Sequence, residues 1–426
     1  MLLLYNALLG LAALLALPVV CAALLLRPRY RAGLAQRLGF LPAAVRRQLV
    51  GASPLWVHAP SVGEVVATGP FVRELKRRWP GRKALISVLT PAGYDAAKAS
   101  VPEADAVIYF PLDHAVIAGR VLDRVRPSAF FFTETEIWPN FLLSAARRGI
   151  PAFLVSGRVS ARTIGRLRLL GPLFRRVLAR VRLFCVQTEA DAQRLRALGV
   201  PADRLLVTGN FKADAGADPG DTGRKVLEAA GLAGRPVLVA ASTHRGEEVV
   251  VLRAHRRLCA SVPGLLLLLA PRHPQRFAEV EALLGRLGWV FLRRSRAHTA
   301  SGGDRVQVLL LDTLGELSSF YVGASLAFVG GSLVDRGGHS VVEPALARVP
   351  VLFGPHMRNF AALAEELLRE DGARQVTDEE SLCREALSIL GDCALARRMG
   401  ASAFRVMARN RGAVARTLDA VSAALA

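Results

Sequence analysis

From Leu55 onward, short apolar runs alternate with longer stretches whose apolar residues recur at helical spacing. The first set of runs is Leu55–Ala59, Ala84–Val88, Val107–Phe110, Ala129–Phe132, Ala152–Val155, Leu183–Val186 and Leu205–Val207. Runs so short and so continuously apolar suit strands buried on both faces. Helical patterns such as Glu64–Arg78 and Ala190–Leu198 lie between most of them. The small, polar, glycine-rich stretch Asp214–Gly223 interrupts the pattern as a linker would. The alternation then resumes at Val237–Ala241, Leu265–Ala270, Val306–Leu311, Leu326–Val329 and Val351–Phe353, and Ala401–Leu425 reads as helix. This pattern predicts an α/β protein of two doubly wound Rossmann-like units, each a mostly parallel sheet covered by helices on both faces. The expected boundaries are 51–213 and 224–400, with 214–223 between them and a C-terminal helix over 401–426. Ligands of such sheets bind beyond the carboxyl ends of the strands, so two such units are expected to face a cleft there.

The first 26 residues change the picture, because Met1–Leu26 carries no charged side chain. A membrane span needs about 20 apolar residues. Arg27, Arg29, Arg31, Arg37, Arg46 and Arg47 follow in a basic segment over 27–50. A cleaved signal peptide carries its positive charge ahead of a shorter apolar core. The reverse order predicts an uncleaved, single-pass signal-anchor helix over 1–26, with the body of the chain in the cytoplasm.

Composition narrows the class. Hydrophobic residues make up 52% of the 426, so the chain can bury real cores, and the formal net charge is +21. Such a charge implies an acidic partner: nucleic acid, an anionic membrane surface or a phosphorylated substrate. No zinc-finger spacing or RNP-like aromatic motif is present and the charge is spread along the chain, so nucleic acid is set aside. The five Cys, at 21, 185, 259, 383 and 393, form no CxxC pair and read as buried thiols of a reducing compartment. Residues Arg162–Arg182 carry seven Arg and no acidic residue. They are either a core-facing helix with a solvated basic face or a membrane-surface patch.

Five motifs sit where strands end. In His58-Ala59-Pro60-Ser61-Val62-Gly63-Glu64, a turn leads into a helix whose Glu64 is placed to take a proton from an acceptor hydroxyl; on spacing alone it serves equally as a helix-terminus partner. Glu134 and Glu136, in Thr133-Glu134-Thr135-Glu136-Ile137-Trp138-Pro139-Asn140, suit sugar binding or acid–base work, or pair with Arg. Gly209-Asn210-Phe211-Lys212 places a Lys at a domain junction, where it meets phosphate or solvent. Ala270-Pro271-Arg272-His273-Pro274 offers an Arg fork for phosphate or carboxylate. The most specific set is Gly330-Gly331-Ser332-Leu333, then Gly337-Gly338-His339-Ser340-Val341-Val342-Glu343-Pro344-Ala345, then Gly354-Pro355-His356 with Asn359. Backbone N–H groups at a helix opening near Ser340 could cradle a phosphate, and Glu343 could hold ribose hydroxyls. Tight turns alone leave His339, Glu343 and His356 unexplained. No Asp-x-Asp triplet or His cluster marks a metal site.

Assembled in this order, WVHAPSVGE, FFTETEIWPN, SGRVS, GNFKAD, APRHPQRF, DTLGELSSFY, FVGGSL, GGHSVVEPA and FGPHMRNF resemble the 3-deoxy-D-manno-octulosonic acid (Kdo) transferases of lipopolysaccharide synthesis. The resemblance covers nearly the whole chain. It implies a GT-B type, inverting, metal-independent glycosyltransferase without a cofactor, which moves Kdo from CMP-Kdo to a lipid A precursor (lipid IVA) at the bacterial inner membrane. It implies Glu64 as general base, with Ser61, Gly63, Glu134 and Glu136 around the acceptor. Lys212, Arg272, His273, Gly331, Gly338, His339, Ser340, Glu343 and Asn359 would hold the donor. Three positions depart from the family pattern: Ser340 stands where Asn is usual, Phe211 where Leu is usual, and Ser156-Gly157-Arg158-Val159-Ser160 where an Asn-Ala-Arg-Leu-Ser-like stretch is common. Two other functions fit the pattern: a GT-B membrane-lipid transferase using a uridine diphosphate sugar, and a tethered binding protein without catalysis. Protein partners leave no mark in the sequence.

Overall fold

The computed structural model describes residues 2–26, 31–159, 164–165, 171–214, 220–297 and 305–425. The chain divides into two compact units, Met1–Ala215 with Asn410–Ala426, and Gly216–Arg409. We call them the first and second domains.

The first domain holds seven parallel strands, β1 (Leu55–His58), β2 (Ala84–Val88), β3 (Ala106–Tyr109), β4 (Ala129–Thr133), β5 (Ala152–Gly157), β6 (Val181–Val186) and β7 (Leu205–Val207). Their order is β3-β2-β1-β4-β5-β6-β7. The sheet therefore reverses its winding between β1 and β4, and a crevice opens there beyond the carboxyl ends of the two strands. Helices cover both faces of the sheet, which is why β1, β2, β3, β4 and β5 are buried along their whole length.

The second domain repeats this plan with β8 (Val237–Thr243), β9 (Leu266–Pro271), β10 (Phe291–Arg293), β11 (Val308–Leu310), β12 (Leu326–Val329), β13 (Val351–Phe353) and β14 (Ala373–Gln375). The order is β10-β11-β9-β8-β12-β13-β14, again all parallel, with the reversal between β8 and β12. The two sheets confirm the two Rossmann-like units. The pattern missed β10 and β14, each three residues long and each on an edge of the sheet. An edge strand is covered on fewer sides, so Phe291-Leu292-Arg293 and Ala373-Arg374-Gln375 keep polar residues and give no apolar run.

Among the helices, α1 (Leu2–Leu26), α2 (Val62–Arg78), α3 (Pro139–Arg147), α4 (Gly171–Leu178), α5 (Glu247–Ser261), α6 (Val342–Leu346), α7 (Cys393–Asn410) and α8 (Ala413–Leu425) bear on function. The stretch expected as one helix over Ala401–Leu425 is broken at Arg411-Gly412, with Gly412 at φ 78°. After the break α8 rejoins the first domain, where Ala413, Val414, Leu418 and Val421 pack with Val57, Phe71 and Phe131. Asp214 caps it, accepting the N–H of Gly412 at 2.6 Å and of Val414 at 2.7 Å.

Side chains at 3, 13, 17 and 19–26 of α1 lie outside the described residues. Among the described residues no helix is long and apolar enough to cross a membrane. The Arg-rich stretch is described at 164–165 and from Gly171 on. There Leu173, Phe174, Val177 and Leu178 of α4 are buried in the core while Arg175 and Arg176 are exposed. The apolar side of α4 is thus committed to the first domain's core and is not free to insert into a bilayer. The thiols of Cys185 and Cys383 are buried as expected, but Cys393 is exposed, because it begins α7 at the surface.

Candidate active site

Each domain gathers its chemistry at its own reversal point. In the first, β1 ends at His58 and the chain turns through Ser61 into α2, whose first turn carries Glu64. Across the reversal, β4 ends at Thr133, and Glu134 follows in the left-handed region at φ 55°. An L-residue rarely adopts that conformation without a structural or functional reason. Glu64, Thr68, Glu134, Ser156, Asn210 and Lys212 line one small pocket. The Ser61 hydroxyl donates to the Glu64 carboxylate. Burial pushes the Glu134 carboxyl above its ordinary range and Glu64 adds to this, while Lys212, Arg158 and a hydrogen bond with Gln187 oppose it.

The pocket is braced from behind. Asn210 accepts from the Lys212 N–H at 2.9 Å and donates to Gln187 at 3.0 Å. Gln187 donates in turn to the Ser156 carbonyl at 3.0 Å, and Ser156 Oγ accepts from the Phe211 N–H at 3.3 Å. The expected acidic pair is separated by its own backbone. Glu136 turns to His58, its Oε2 lying 3.5 Å from His58 Nε2 and accepting from Trp138 Nε1 at 3.1 Å. His58 is fully buried, its Nδ1 3.0 Å from Ser87, its ring stacked on Phe110 at 4.0 Å. Glu136 and His58 therefore meet each other and do not line the pocket, whereas Glu134 does. Lys212, expected among donor-site residues, has its side chain in this first-domain pocket with the two carboxylates.

In the second domain, β8 leads to His244, β9 to Arg272 and His273, and β12 to the Gly330-Gly331 turn. The His244 and His339 rings stack in parallel with their Nε2 atoms 2.9 Å apart, and His273 approaches edge-on at 5.3 Å. Gly331 has φ 66°, and a Cβ there would come 2.9 Å from the His339 ring. Gly338 has φ 71°, and Asn359 ties the turn down by donating to the Gly338 carbonyl at 3.2 Å. Ser340 donates to Glu343 and also accepts from the Val342 N–H at 3.2 Å. The helix expected to open at Ser340 begins at Val342 and runs only to Leu346. Five residues sum few peptide dipoles, so nearby Arg must supply most of any pull on an anion.

The residue that builds this turn was not singled out in the sequence. Glu247, at the start of α5, is fully buried and accepts backbone N–H groups from Gly331 at 2.8 Å, Ser332 at 3.0 Å, Leu333 at 3.0 Å and His244 at 2.9 Å. Its neighbour Glu248, also buried, pairs with Arg276. The available signal was two adjacent carboxylates after a strand and a Gly, in a chain otherwise rich in Arg. His356 is placed beside Asp335, 3.9 Å away, and Arg358 pairs with the same Asp335. Among the described residues, no group of three or more His, Cys, Asp or Glu converges as metal ligands would.

Burial, with Arg272 or His273 and other positive neighbours adding to it, pushes His339 and His244 down to about 4, and burial does the same to His255. Unfolded His takes up its proton near about 6.5. Between the two values the unfolded chain binds more protons than the folded one, so stability falls as pH falls. Thermal unfolding of the protein should therefore show a melting temperature that drops from pH 6.5 to pH 4. The drop should be shallower in a His244→Asn, His339→Asn double variant. An unchanged slope in that variant would show that the pair does not titrate as a buried neutral pair.

Two parallel sheets, each with polar side chains collected at its reversal point, define a two-domain, Rossmann-type α/β protein of the kind that handles nucleotides and sugars. The chain belongs to the 3-deoxy-D-manno-octulosonic acid transferase family. The family described as 3-deoxy-D-manno-octulosonic-acid transferase (kdotransferase) matches residues 32–215. The 3-deoxy-D-manno-octulosonic acid transferase of Haemophilus influenzae is 36% identical over 395 residues, 92% of this chain and 91% of that one. The enzyme of the same name from Bordetella pertussis is 37% identical over 385 residues, 87% of each. Among solved structures, a UDP-N-acetylglucosamine 2-epimerase from Listeria monocytogenes shares the fold, with a TM-score of 0.59 at 17% identity over 87% of this chain and 95% of that one.

Proposed function

We propose that this protein transfers Kdo from CMP-Kdo to a lipid A precursor such as lipid IVA, as a membrane-associated, inverting enzyme of the inner membrane's cytoplasmic face. The observation that carries this is the pairing of family membership with two separate chemical sites, an acidic pocket around Glu64 and a basic one around Arg272 and His339. Glu64, with Ser61 holding its carboxylate, is the base that accepts the acceptor hydroxyl's proton. Glu134 holds the neighbouring proton, and Gly63 leaves the helix entrance open, with nothing but Ser61 Oγ within 4.0 Å of where its Cβ would stand. In the second domain Arg272 and His273, beside the glycine turns at Gly331 and Gly338, meet the phosphodiester and carboxylate of CMP-Kdo. Ser340 and Glu343 meet its ribose. A nucleoside monophosphate leaves with less charge than a diphosphate, and a fixed Arg can stabilise it without a metal. The net charge of +21 suits an anionic donor, a phosphorylated acceptor and an anionic membrane. The apolar α1 supports membrane attachment.

Nucleotide competition tests the donor. CMP and CTP should inhibit turnover and raise the melting temperature, while UMP and UDP should do neither. Protection by UDP and not by CMP would favour a uridine diphosphate sugar donor.

A further inference from the structure

The second domain carries more positive charge at its reversal point than its own carboxylates neutralise. Three Arg side chains surround the rings of His244, His273 and His339: Arg272, Arg276 and Arg336. Burial comes first in lowering His273, and the charges of all three Arg add to it. His244 is lowered by burial first, then by His273, Arg336 and Arg276. Arg276 is neutralised, because it pairs with the buried Glu248 and with Glu279. Arg272 and Arg336 are exposed, and among the described residues neither side chain pairs with a carboxylate. Asp335, the acid next to Arg336 in the chain, turns instead to Arg358 and His356.

Arg336 stands on a fixed backbone. Its N–H donates to the Val334 carbonyl at 2.7 Å, and its carbonyl accepts from Asn359 Nδ2 at 3.4 Å. The Asn359 N–H donates to the Gly337 carbonyl at 2.8 Å. Gly337 at φ 87° and Gly338 at φ 71° then carry the chain back to His339. The stem of Arg336 lies on the Gly331 turn, its Cβ 3.4 Å from where a Cβ on Gly331 would stand. The backbone is thus held, and the guanidinium end is left to meet a ligand. An exposed cation adds little to the stability of the fold. A planar fork of donors suits a planar anion.

The proposed donor carries two anions. In CMP-Kdo the phosphodiester and the sugar's carboxylate hang on the same anomeric carbon, so two negative charges lie side by side and repel each other. One guanidinium cannot pair both in bidentate fashion, and two can. Arg272 follows β9 directly and, after burial, acts most strongly on His339. Arg336 stands further out, on the loop after β12, where the sugar must leave the domain to be transferred. We therefore propose that Arg336 binds the carboxylate of the donor sugar, leaving Arg272 to the phosphodiester, and so selects an acidic sugar over a neutral one. A neutral sugar would strip water from this guanidinium without returning a charged hydrogen bond. This inference deepens the donor assignment made above and rests on it.

The test compares full-length Arg336→Gln and Arg336→Lys with the parent. It measures kcat and KM for CMP-Kdo, and the inhibition constant of CMP, which keeps the phosphate and lacks the carboxylate. Arg336→Gln should raise KM for CMP-Kdo by about tenfold to a hundredfold, the usual worth of a hydrogen bond between charged groups. CMP inhibition and the melting temperature should stay close to parental. Arg336→Lys, which keeps the charge and loses the fork, should fall between. Arg272→Gln should weaken CMP-Kdo and CMP together. Equal weakening of both ligands in Arg336→Gln would overturn the proposal, because the residue would then act on the phosphate they share. A parental KM for CMP-Kdo in that variant would overturn it as well. Failure of the donor reading looks different: the parent itself would neither turn over CMP-Kdo nor bind CMP, and this inference would fall with it.

Discussion

Glu64→Gln should lose about 10²–10⁴ fold of turnover, the usual worth of a positioned general base, while the protein stays folded and still binds CMP. Gln keeps the shape of Glu and can still accept from the Ser61 hydroxyl, so the local turn should survive. What it cannot do is take a proton from the acceptor. Because the cytidine nucleotide is assigned to the other domain, CMP affinity should hardly change, and the loss should fall on kcat. Glu134→Gln should cost less. Burial already favours the protonated form of that carboxyl, and a protonated carboxyl and an amide both offer a donor and an acceptor. Near-parental turnover in Glu64→Gln, with activity abolished in Glu134→Gln, would exchange the two roles.

Glu247→Ala should collapse the donor site rather than trim it. Four backbone N–H groups converge on that one buried carboxylate. An unsatisfied buried donor costs roughly 1–3 kcal/mol, so stranding even two of them costs about 2–6 kcal/mol. We expect a melting temperature well below that of the parent and CMP affinity reduced by about tenfold or more, since about 1.4 kcal/mol is tenfold. Glu247→Gln should fall between, because its amide nitrogen would point a donor at donors. Thermal unfolding and CMP titration of both variants check this. Parental stability in Glu247→Ala would mean that the turn is held by its glycines and by Asn359 alone.

The strands were legible where they are buried on both faces, since Leu266–Pro271 or Ala129–Thr133 can read only as apolar runs. Three-residue edge strands such as Phe291–Arg293 carry no such signature. That Glu64, Glu134, Arg272 and His339 follow strand ends was legible as well, because parallel sheets present polar side chains beyond their strands' carboxyl ends. Spacing could not show that Glu136 would turn away toward His58, because that depends on the left-handed backbone at Glu134. Nor could it show that Lys212 would sit with the carboxylates, or that α8 would return to the first core, which rests on Asp214 capping residues about two hundred positions later. Glu247 escaped notice for a related reason. A Glu at a helix start is ordinarily a surface partner of the helix terminus, and only the fold brings the Gly331 turn over it.

The central claim is a reaction, and one measurement addresses it most directly. Purified full-length protein, CMP-Kdo and a lipid A precursor are incubated together, and the lipid is analysed by mass spectrometry while released CMP is quantified. The account predicts lipid heavier by whole Kdo residues, with one CMP released per residue added, and neither product from Glu64→Gln. A precursor unchanged in mass with CMP-Kdo, but glycosylated when a uridine diphosphate sugar is supplied, would contradict it.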